Sequence, residues 1–236
     1  AAGRRPWWEL PTPFRRGQRG AQQSSLGQST CRSFHATFTR ARSPMYHAGN
    51  RALQQQFGST ALADRLFEKL HRERFSDADK QFIESLGFFF LATADAEGRP
   101  DCSFKGGAPG FARVIDPELL VFPDYDGNGM FKSLGNITAN PNVGLLFIAM
   151  QAAPKRLRVN GSAQLVFDDP LLSEFEGAQA LIRVTPRHIF PNCPRYIPDL
   201  KTGEPSAYVP CAGVERKEPA WKGFDDFREV VPPRRA

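Results

Sequence analysis

Two pairs of residues in this 236-residue chain combine a hydroxyl group with an ammonium group. Ser103 and Lys105 stand two positions apart in a predicted β-strand, so both side chains should lie on one face of it. Lys132 and Ser133 open a predicted short helix, just after a glycine-rich turn that contains Asn128. Ammonium groups, hydroxyls and the free N–H groups of a helix start bind phosphate dianions in proteins. The sequence therefore predicts a phosphate site built from these five residues.

A second group of polar residues could extend such a site. Asn136 lies about one helical turn after Ser133 and is predicted to line the same pocket. Arg156, Arg158 and Asn160 alternate along another predicted strand, so their side chains should share one face. That alternation is also typical of a solvated strand face, and a lysine beside a helix-capping serine is common on ordinary surfaces. The residues by themselves leave both interpretations open.

The elements that must position these residues follow from the spacing of apolar side chains. The pattern predicts helices over 60–72 and 77–86, the second with a capping box from Ser76 to Asp79. A third short helix, 131–139, is predicted directly before a buried strand. The predicted strands are 88–94, 100–105, 111–115, 119–122, 143–150, 156–167 and 180–190. Consecutive strands with tight turns and one helical insert favour a closed antiparallel barrel, which is a mainly β (α+β) fold.

The formal net charge of +6 is concentrated at the N-terminus. Residues 1–42 hold eight arginines and one acid. The net charge of this segment exceeds that of the whole chain, so the remaining residues are together close to neutral. Nucleic-acid-binding proteins usually carry a basic surface, so we expect no nucleic-acid partner. No window reaches the roughly 18 uncharged apolar residues of a membrane span, so we also expect no membrane partner.

Composition divides the chain into four segments. Residues 1–43 are rich in Arg and Ser and predict a disordered leader, with a mitochondrial transit peptide as the alternative. A helical lead-in over 44–87 and a barrel over 88–190 follow, and an irregular, Pro-rich C-terminal extension occupies 191–236. The four cysteines are far apart and predict neither a zinc site nor a disulfide framework. Cys102 is expected to pack as a small buried hydrophobe.

Scattered cysteines are typical of a reducing compartment, so the expected location is cytoplasmic. The alternative is mitochondrial, if the Arg-rich leader is a transit peptide.

Residues 88–167 resemble the flavin-binding split barrel of the pyridoxamine 5′-phosphate oxidase-like proteins. The resemblance rests on the order and spacing of five pieces: Ala92-Thr-Ala-Asp-Ala-Glu-Gly-Arg-Pro100, Asp101-Cys-Ser-Phe-Lys105, Gly127 to Ser133, Asn140-Pro-Asn-Val-Gly-Leu-Leu-Phe147, and Leu157-Arg-Val-Asn-Gly161. Two features differ from the vitamin B6 oxidase itself. Lys132-Ser133 carries one charge where that enzyme has a basic pair, and the enzyme's C-terminal Arg-x-His is absent. The chain thus looks like a member of another branch of the family.

The resemblance implies a six-stranded antiparallel split β-barrel with flanking helices, and a homodimer with FMN at the subunit interface. The residues it implies for FMN binding are Ser103, Lys105, Asn128, Lys132, Ser133, Asn136, Arg156, Arg158 and Asn160. The last three would meet the pyrimidine edge of the ring. A flavin carries out hydride chemistry itself, so no protein nucleophile is required and none is assigned, and no metal site is expected.

The function implied is an FMN-dependent oxidoreductase that acts on a small-molecule substrate. The alternative is a non-catalytic protein of the same fold that binds flavin, deazaflavin or haem.

Overall fold

The computed structural model describes residues 45–151, 153–204, 206, 207, 209, 215 and 217–232. The predicted leader, residues 1–43, lies outside this part of the chain, as do several positions of the C-terminal extension. Within the described ranges, no helix combines the length and the apolar character that crossing a bilayer requires.

The lead-in consists of three helices: α1 (Ala48–Gln56), α2 (Thr60–Leu70) and α3 (Asp77–Glu84). The capping box predicted at α3 is confirmed, because the Asp79 backbone N–H donates to Ser76 Oγ at 3.2 Å and the Ser76 N–H donates to the Asp79 carboxylate at 3.0 Å. Asp79 is buried and also pairs with Arg72 at 2.7 Å. This one carboxylate therefore both starts α3 and ties it to the chain before it.

Seven antiparallel strands form one sheet in the order β2-β1-β5-β6-β7-β4-β3. They are β1 (Phe88–Ala94), β2 (Pro100–Gly106), β3 (Arg113–Asp116), β4 (Leu119–Tyr125), β5 (Asn142–Ala149), β6 (Lys155–Val166) and β7 (Ala178–Pro191). The mainly β, antiparallel prediction is confirmed, with seven strands rather than six. The additional strand is β3, a short edge strand that pairs with β4 alone.

Strand pairing assigns each side chain to one of two faces of the sheet, since paired residues point the same way. Leu91 pairs with Leu145 and Leu145 with Val159, and all three are buried. We call this side the core face. Leu146 pairs with Phe90 of β1 and with Arg158 of β6. These three residues point away from the core, towards what we call the outer face.

The core is rich in aromatic rings. Phe89 is fully buried, and its ring centroid lies 5.0 Å from those of both Phe122 and Phe147. Burial of a side chain of this size contributes about 1.5–3 kcal/mol of transfer free energy. These rings join β1, β4 and β5 across the barrel interior.

Helix α4 (Lys132–Ala139) follows β4 and covers one end of this core. Its Leu134 and Ile137 are buried in the same cluster as Phe89. The described residues also form two 3₁₀ turns, Pro170–Glu174 and Ala220–Gly223. The first begins where Asp169 Oδ1 accepts a hydrogen bond from the Leu171 N–H at 3.0 Å.

The expected burial of Cys102 is wrong. Cys102 is exposed, and so is Ala92, its partner in the β1–β2 pairing. Both point to the outer face, and β2 is an edge strand. An apolar residue in a strand is buried only where its own face of the sheet is covered, which composition does not reveal.

Candidate functional site

A cavity of about 430 Å³ opens at the start of α4, beside edge strand β2. It is lined by all five residues predicted to bind phosphate, which are Ser103, Lys105, Asn128, Lys132 and Ser133. Two come from β2 and three from the segment before and within the first turn of α4. The folded chain thus brings the two predicted hydroxyl and ammonium pairs to one place.

The two serine hydroxyls are in direct contact. Ser103 Oγ and Ser133 Oγ lie 3.0 Å apart and share a hydrogen bond in which either can donate. Ser133 is buried, while Ser103 is half-buried at the cavity wall. This bond ties β2 to the first turn of α4, and each oxygen keeps a lone pair for another donor.

The backbone that leads into α4 has an unusual conformation. Phe131, the residue before the helix, has φ of 47°, and Gly129 has φ of 74°. A left-handed conformation at a bulky residue is strained, and such strain is frequent at ligand sites. No side chain caps the N-terminus of α4, so its first N–H groups are left to the cavity that Lys132 and Ser133 line.

Asn128 organises the same loop. Its Oδ1 accepts a hydrogen bond from the Met130 N–H at 3.0 Å, which is an Asx turn. That contact does not use the two N–H donors of the Asn128 side-chain amide. Asn128 therefore shapes the turn and still presents donors to the cavity that it lines.

The charges around the cavity are mixed. Among the described residues, neither Lys105 nor Lys132 has a carboxylate within ion-pair distance. Asp101 and Asp124 also line the cavity, and Asp124 accepts a hydrogen bond from Gln179 Nε2 at 2.8 Å. Two ammonium groups without acidic partners are thus available to an incoming anion.

Three large apolar side chains also line the cavity, which the sequence did not predict. Phe104, Met130 and Phe131 line it with 62%, 69% and 57% of their surface exposed. Large apolar side chains exposed together at a cavity mouth indicate a ligand or a partner surface. Met130 and Phe131 within a glycine-rich turn were a signal in the sequence, since such turns are usually polar.

Asn136 lies behind the cavity rather than in its wall. The residue is buried, and its Nδ2 donates to Thr93 Oγ1 at 3.0 Å. Thr93 belongs to β1 and faces the core. The predicted helical spacing from Ser133 is correct, but it directs Asn136 towards the sheet, where the residue fastens α4 to β1.

Arg156, Arg158 and Asn160 share one face of β6, as predicted, but that face is the outer one. Ser103 pairs with Leu91 and lies on the core face. β6 is also three strands away from β2, on the order of 14 Å at the usual strand spacing. Within one chain, Arg156, Arg158 and Asn160 are therefore distant from the lysines and serines of the cavity.

Arg156 has surroundings that spacing could not reveal. Burial lowers the pKa of its guanidinium, and the charges of Arg158 and Arg195 lower it further, against an opposing effect of Cys193. Arg195 and Cys193 belong to the segment that follows β7, which the sequence suggested was merely irregular. In the described ranges, no three His, Cys, Asp or Glu side chains are grouped as metal ligands would be.

The family model described as pyridoxamine 5′-phosphate oxidase matches residues 75–193. This stretch contains α3, all seven strands and α4, and hence the whole cavity. No curated protein matches the sequence.

Solved structures with a similar fold are distant in sequence. HupZ from Group A Streptococcus is 17% identical, with 56% of this chain and 98% of that chain covered and a TM-score of 0.40. HutZ, the heme storage protein from Vibrio cholerae, is 22% identical, with coverage of 48% and 90% and a TM-score of 0.34. An FMN-binding protein from Syntrophomonas wolfei is 9% identical, with coverage of 61% and 96% and a TM-score of 0.40.

The family match extends over half of the chain and includes every element that builds the cavity. The chain therefore belongs to the pyridoxamine 5′-phosphate oxidase family.

Proposed function

We propose that this protein is an FMN-dependent oxidoreductase that acts on a small-molecule substrate. The observation that carries the proposal is the hydrogen bond between Ser103 and Ser133 at the open start of α4, with Lys105 and Lys132 lining the same cavity. Two hydroxyls, two ammonium groups and uncapped helix N–H groups suit a phosphate monoester better than a neutral ligand.

The residues present fit the remainder of FMN as well. The phosphate would be held by Lys132, Lys105 and the serine hydroxyls, and the apolar side chains of Met130 and Phe131 would cover the ring. When bound, FMN supplies the hydride transfer itself. The task of this chain is to orient the ring, to exclude water from it, and to supply positive charge near it.

The second lysine accounts for the difference from the vitamin B6 oxidase. The start of α4 offers one cation, Lys132, where the resemblance implied a basic pair in that enzyme. Lys105, from the neighbouring strand, lines the same cavity and is without an ion-pair partner among the described residues. We infer that Lys105 supplies the second positive charge that a phosphate dianion requires.

We further propose a homodimer that buries the outer face of β1 and β2. Phe104 is 62% exposed; its ring stacks on Phe88 at 5.4 Å and meets Phe90 edge-on at 6.1 Å. A contiguous aromatic patch of this kind, with one exposed ring and two half-buried ones, suits a protein interface. A second copy of the chain is the occupant, because Arg158 and Asn160 share the outer face and could reach the ring edge only in the partner's cavity.

A visible absorption spectrum of the purified chain, before and after addition of FMN, tests the proposal. Flavin uptake followed by electron transfer from a nicotinamide or from dithionite to an acceptor supports the oxidoreductase. Flavin uptake without transfer would favour the non-catalytic flavin-binding alternative. A Soret band with added haem and no flavin uptake would contradict the FMN assignment.

A further inference from the structure

A second cavity, of about 350 Å³, lies where β4 and β6 end and β7 begins, beside α4. Leu165 of β6 pairs with Ile182 of β7, and Ile182 pairs with Phe122 of β4, so this layer belongs to the core face. Asp124 and Ala180 form the next pair on the same face, because alternate residues of a strand point the same way. This barrel-end cavity thus continues the barrel interior beyond its last core layer.

The lining of the barrel-end cavity is mainly apolar. Phe131 and Phe167 line it with 57% and 67% of their surface exposed, and Leu134 and Leu165 are further members. Its volume is at the lower end of the roughly 300–1,000 Å³ that small-molecule sites occupy, and mouths of β-barrels are a frequent place for such sites. Size and lining therefore indicate a small organic ligand.

A glycine keeps the α4 wall of this cavity open. Gly135 lies in the second half-turn of the helix, and a Cβ atom at this position would meet no side chain and no neighbouring element within 4 Å. Glycine inside a helix is less stable than alanine, and here no close contact accounts for it. The missing side chain leaves room that the apolar part of a ligand can occupy.

One carboxylate lines this apolar space. Asp124 is half-buried, and its Oδ2 accepts a hydrogen bond from Gln179 Nε2 at 2.8 Å. That amide is neutral, and in the described part of the chain Asp124 forms no ion pair. Lys105 and Lys132 line the adjoining cavity at the start of α4 but not the barrel-end cavity. The charge of Asp124 is thus available to a cation that enters from this side.

We propose that the barrel-end cavity binds a small organic cation, an amine that carries an apolar body. The ammonium group pairs with Asp124, and the apolar body lies against Phe167, Leu165 and the open flank of α4 at Gly135. A carboxylate beside exposed aromatic rings suits organic ammonium ions, because ring faces attract cations as well as apolar groups. A neutral ligand would leave the Asp124 charge unpaired, and an anion would be repelled by it. The site adjoins the cavity at the start of α4 but does not require a bound flavin.

Calorimetric titration of the full chain with 2-phenylethylamine, a cation at neutral pH, tests the site against 2-phenylethanol, a neutral compound of similar shape. We expect saturable binding of the amine, tighter than that of the alcohol by on the order of tenfold, the scale of a hydrogen bond to a charged group. Asp124→Asn should remove this preference, while its side chain can still accept the hydrogen bond from Gln179. Asp126→Asn is the matched control, because Asp126 is an exposed acid that lines neither cavity.

Two further variants test the cavity itself. Gly135→Leu places a side chain in the open space, so amine binding should fall by on the order of tenfold or more, while the melting temperature stays at or above that of wild type. Phe167→Ala removes an exposed ring and should weaken binding of both compounds. Unchanged amine affinity in either variant would overturn the proposal. So would equal affinities of wild type for amine and alcohol, or a preference for the amine that persists in Asp124→Asn.

Discussion

The hydroxyl groups of Ser103 and Ser133 lie 3.0 Å apart and join edge strand β2 to the first turn of α4. The two residues are 30 positions apart in the sequence. Their contact places Lys105 and Lys132, each two residues or fewer from one of the serines, on the wall of one cavity. Our proposal that a phosphate-bearing cofactor binds at the start of α4 rests on this relationship.

Replacement of Lys132 by Ala should weaken FMN binding by about 1–3 kcal/mol, the range for a hydrogen bond to a charged group. Fluorescence titration with FMN measures the change. The matched control is Lys201→Ala, which removes an exposed lysine in the segment after β7 and should leave the affinity unchanged. Equal affinities for the Lys132 variant and wild type would move the phosphate to another site.

Replacement of Asn136 by Ala should lower the free energy of unfolding by about 1–3 kcal/mol, because it leaves a buried hydroxyl on Thr93 without its partner. Urea denaturation measures this effect. When Asn136→Ala is introduced into the Thr93→Val variant, it should lower the free energy of unfolding by less than in wild type. The reason is that the two side chains act as one unit. Additive losses in the double variant would show that the 3.0 Å contact contributes nothing to stability.

A charge on the outer face should disrupt the homodimer that we propose. Phe104→Glu introduces a carboxylate into the aromatic patch that we propose the second subunit covers, and sedimentation should then give a monomer. Leu53→Glu is the control, because Leu53 is 57% exposed on α1 and is not part of the patch. A dimer that persists in Phe104→Glu would place the interface elsewhere.

Acid should destabilise the fold through His71. His71 Nε2 and His188 Nδ1 share a hydrogen bond of 2.8 Å, and burial lowers the pKa of His71 below its ordinary value of 6.5. The folded state then binds fewer protons than the unfolded state, so this stabilisation is present above pH 6.5 and is lost as the pH falls towards the lowered pKa.

Urea unfolding from about pH 7.5 to about pH 5 should therefore give a smaller pH dependence for His71→Gln than for wild type. If stability has the same pH dependence in His71→Gln and in wild type, His71 is not the cause of the acid destabilisation.

Local patterns predicted the elements well. The helix predicted over 77–86 is α3, Asp77–Glu84, with the Ser76 capping box in place, and the strand predicted over 88–94 is β1. Turn residues and apolar periodicity act over a few positions, so they are visible in the sequence. That the five residues proposed for phosphate line one cavity was predictable for the same reason, because they lie at a helix start and on one strand.

The faces of the sheet were harder to predict. Alternation shows that Arg156, Arg158 and Asn160 point the same way, but not which way. The pairing of Leu146 with Arg158 and of Leu91 with Ser103 determines that, and both pairings depend on long-range register. The enclosure of Arg156 by the segment around Arg195 likewise follows from tertiary packing.

The most direct test of the central proposal is an FMN titration of the purified chain, followed by flavin fluorescence and visible absorbance. We expect saturable uptake of one FMN per subunit, with a perturbed flavin spectrum. Protein that stays colourless and leaves the fluorescence of added FMN unchanged would contradict it.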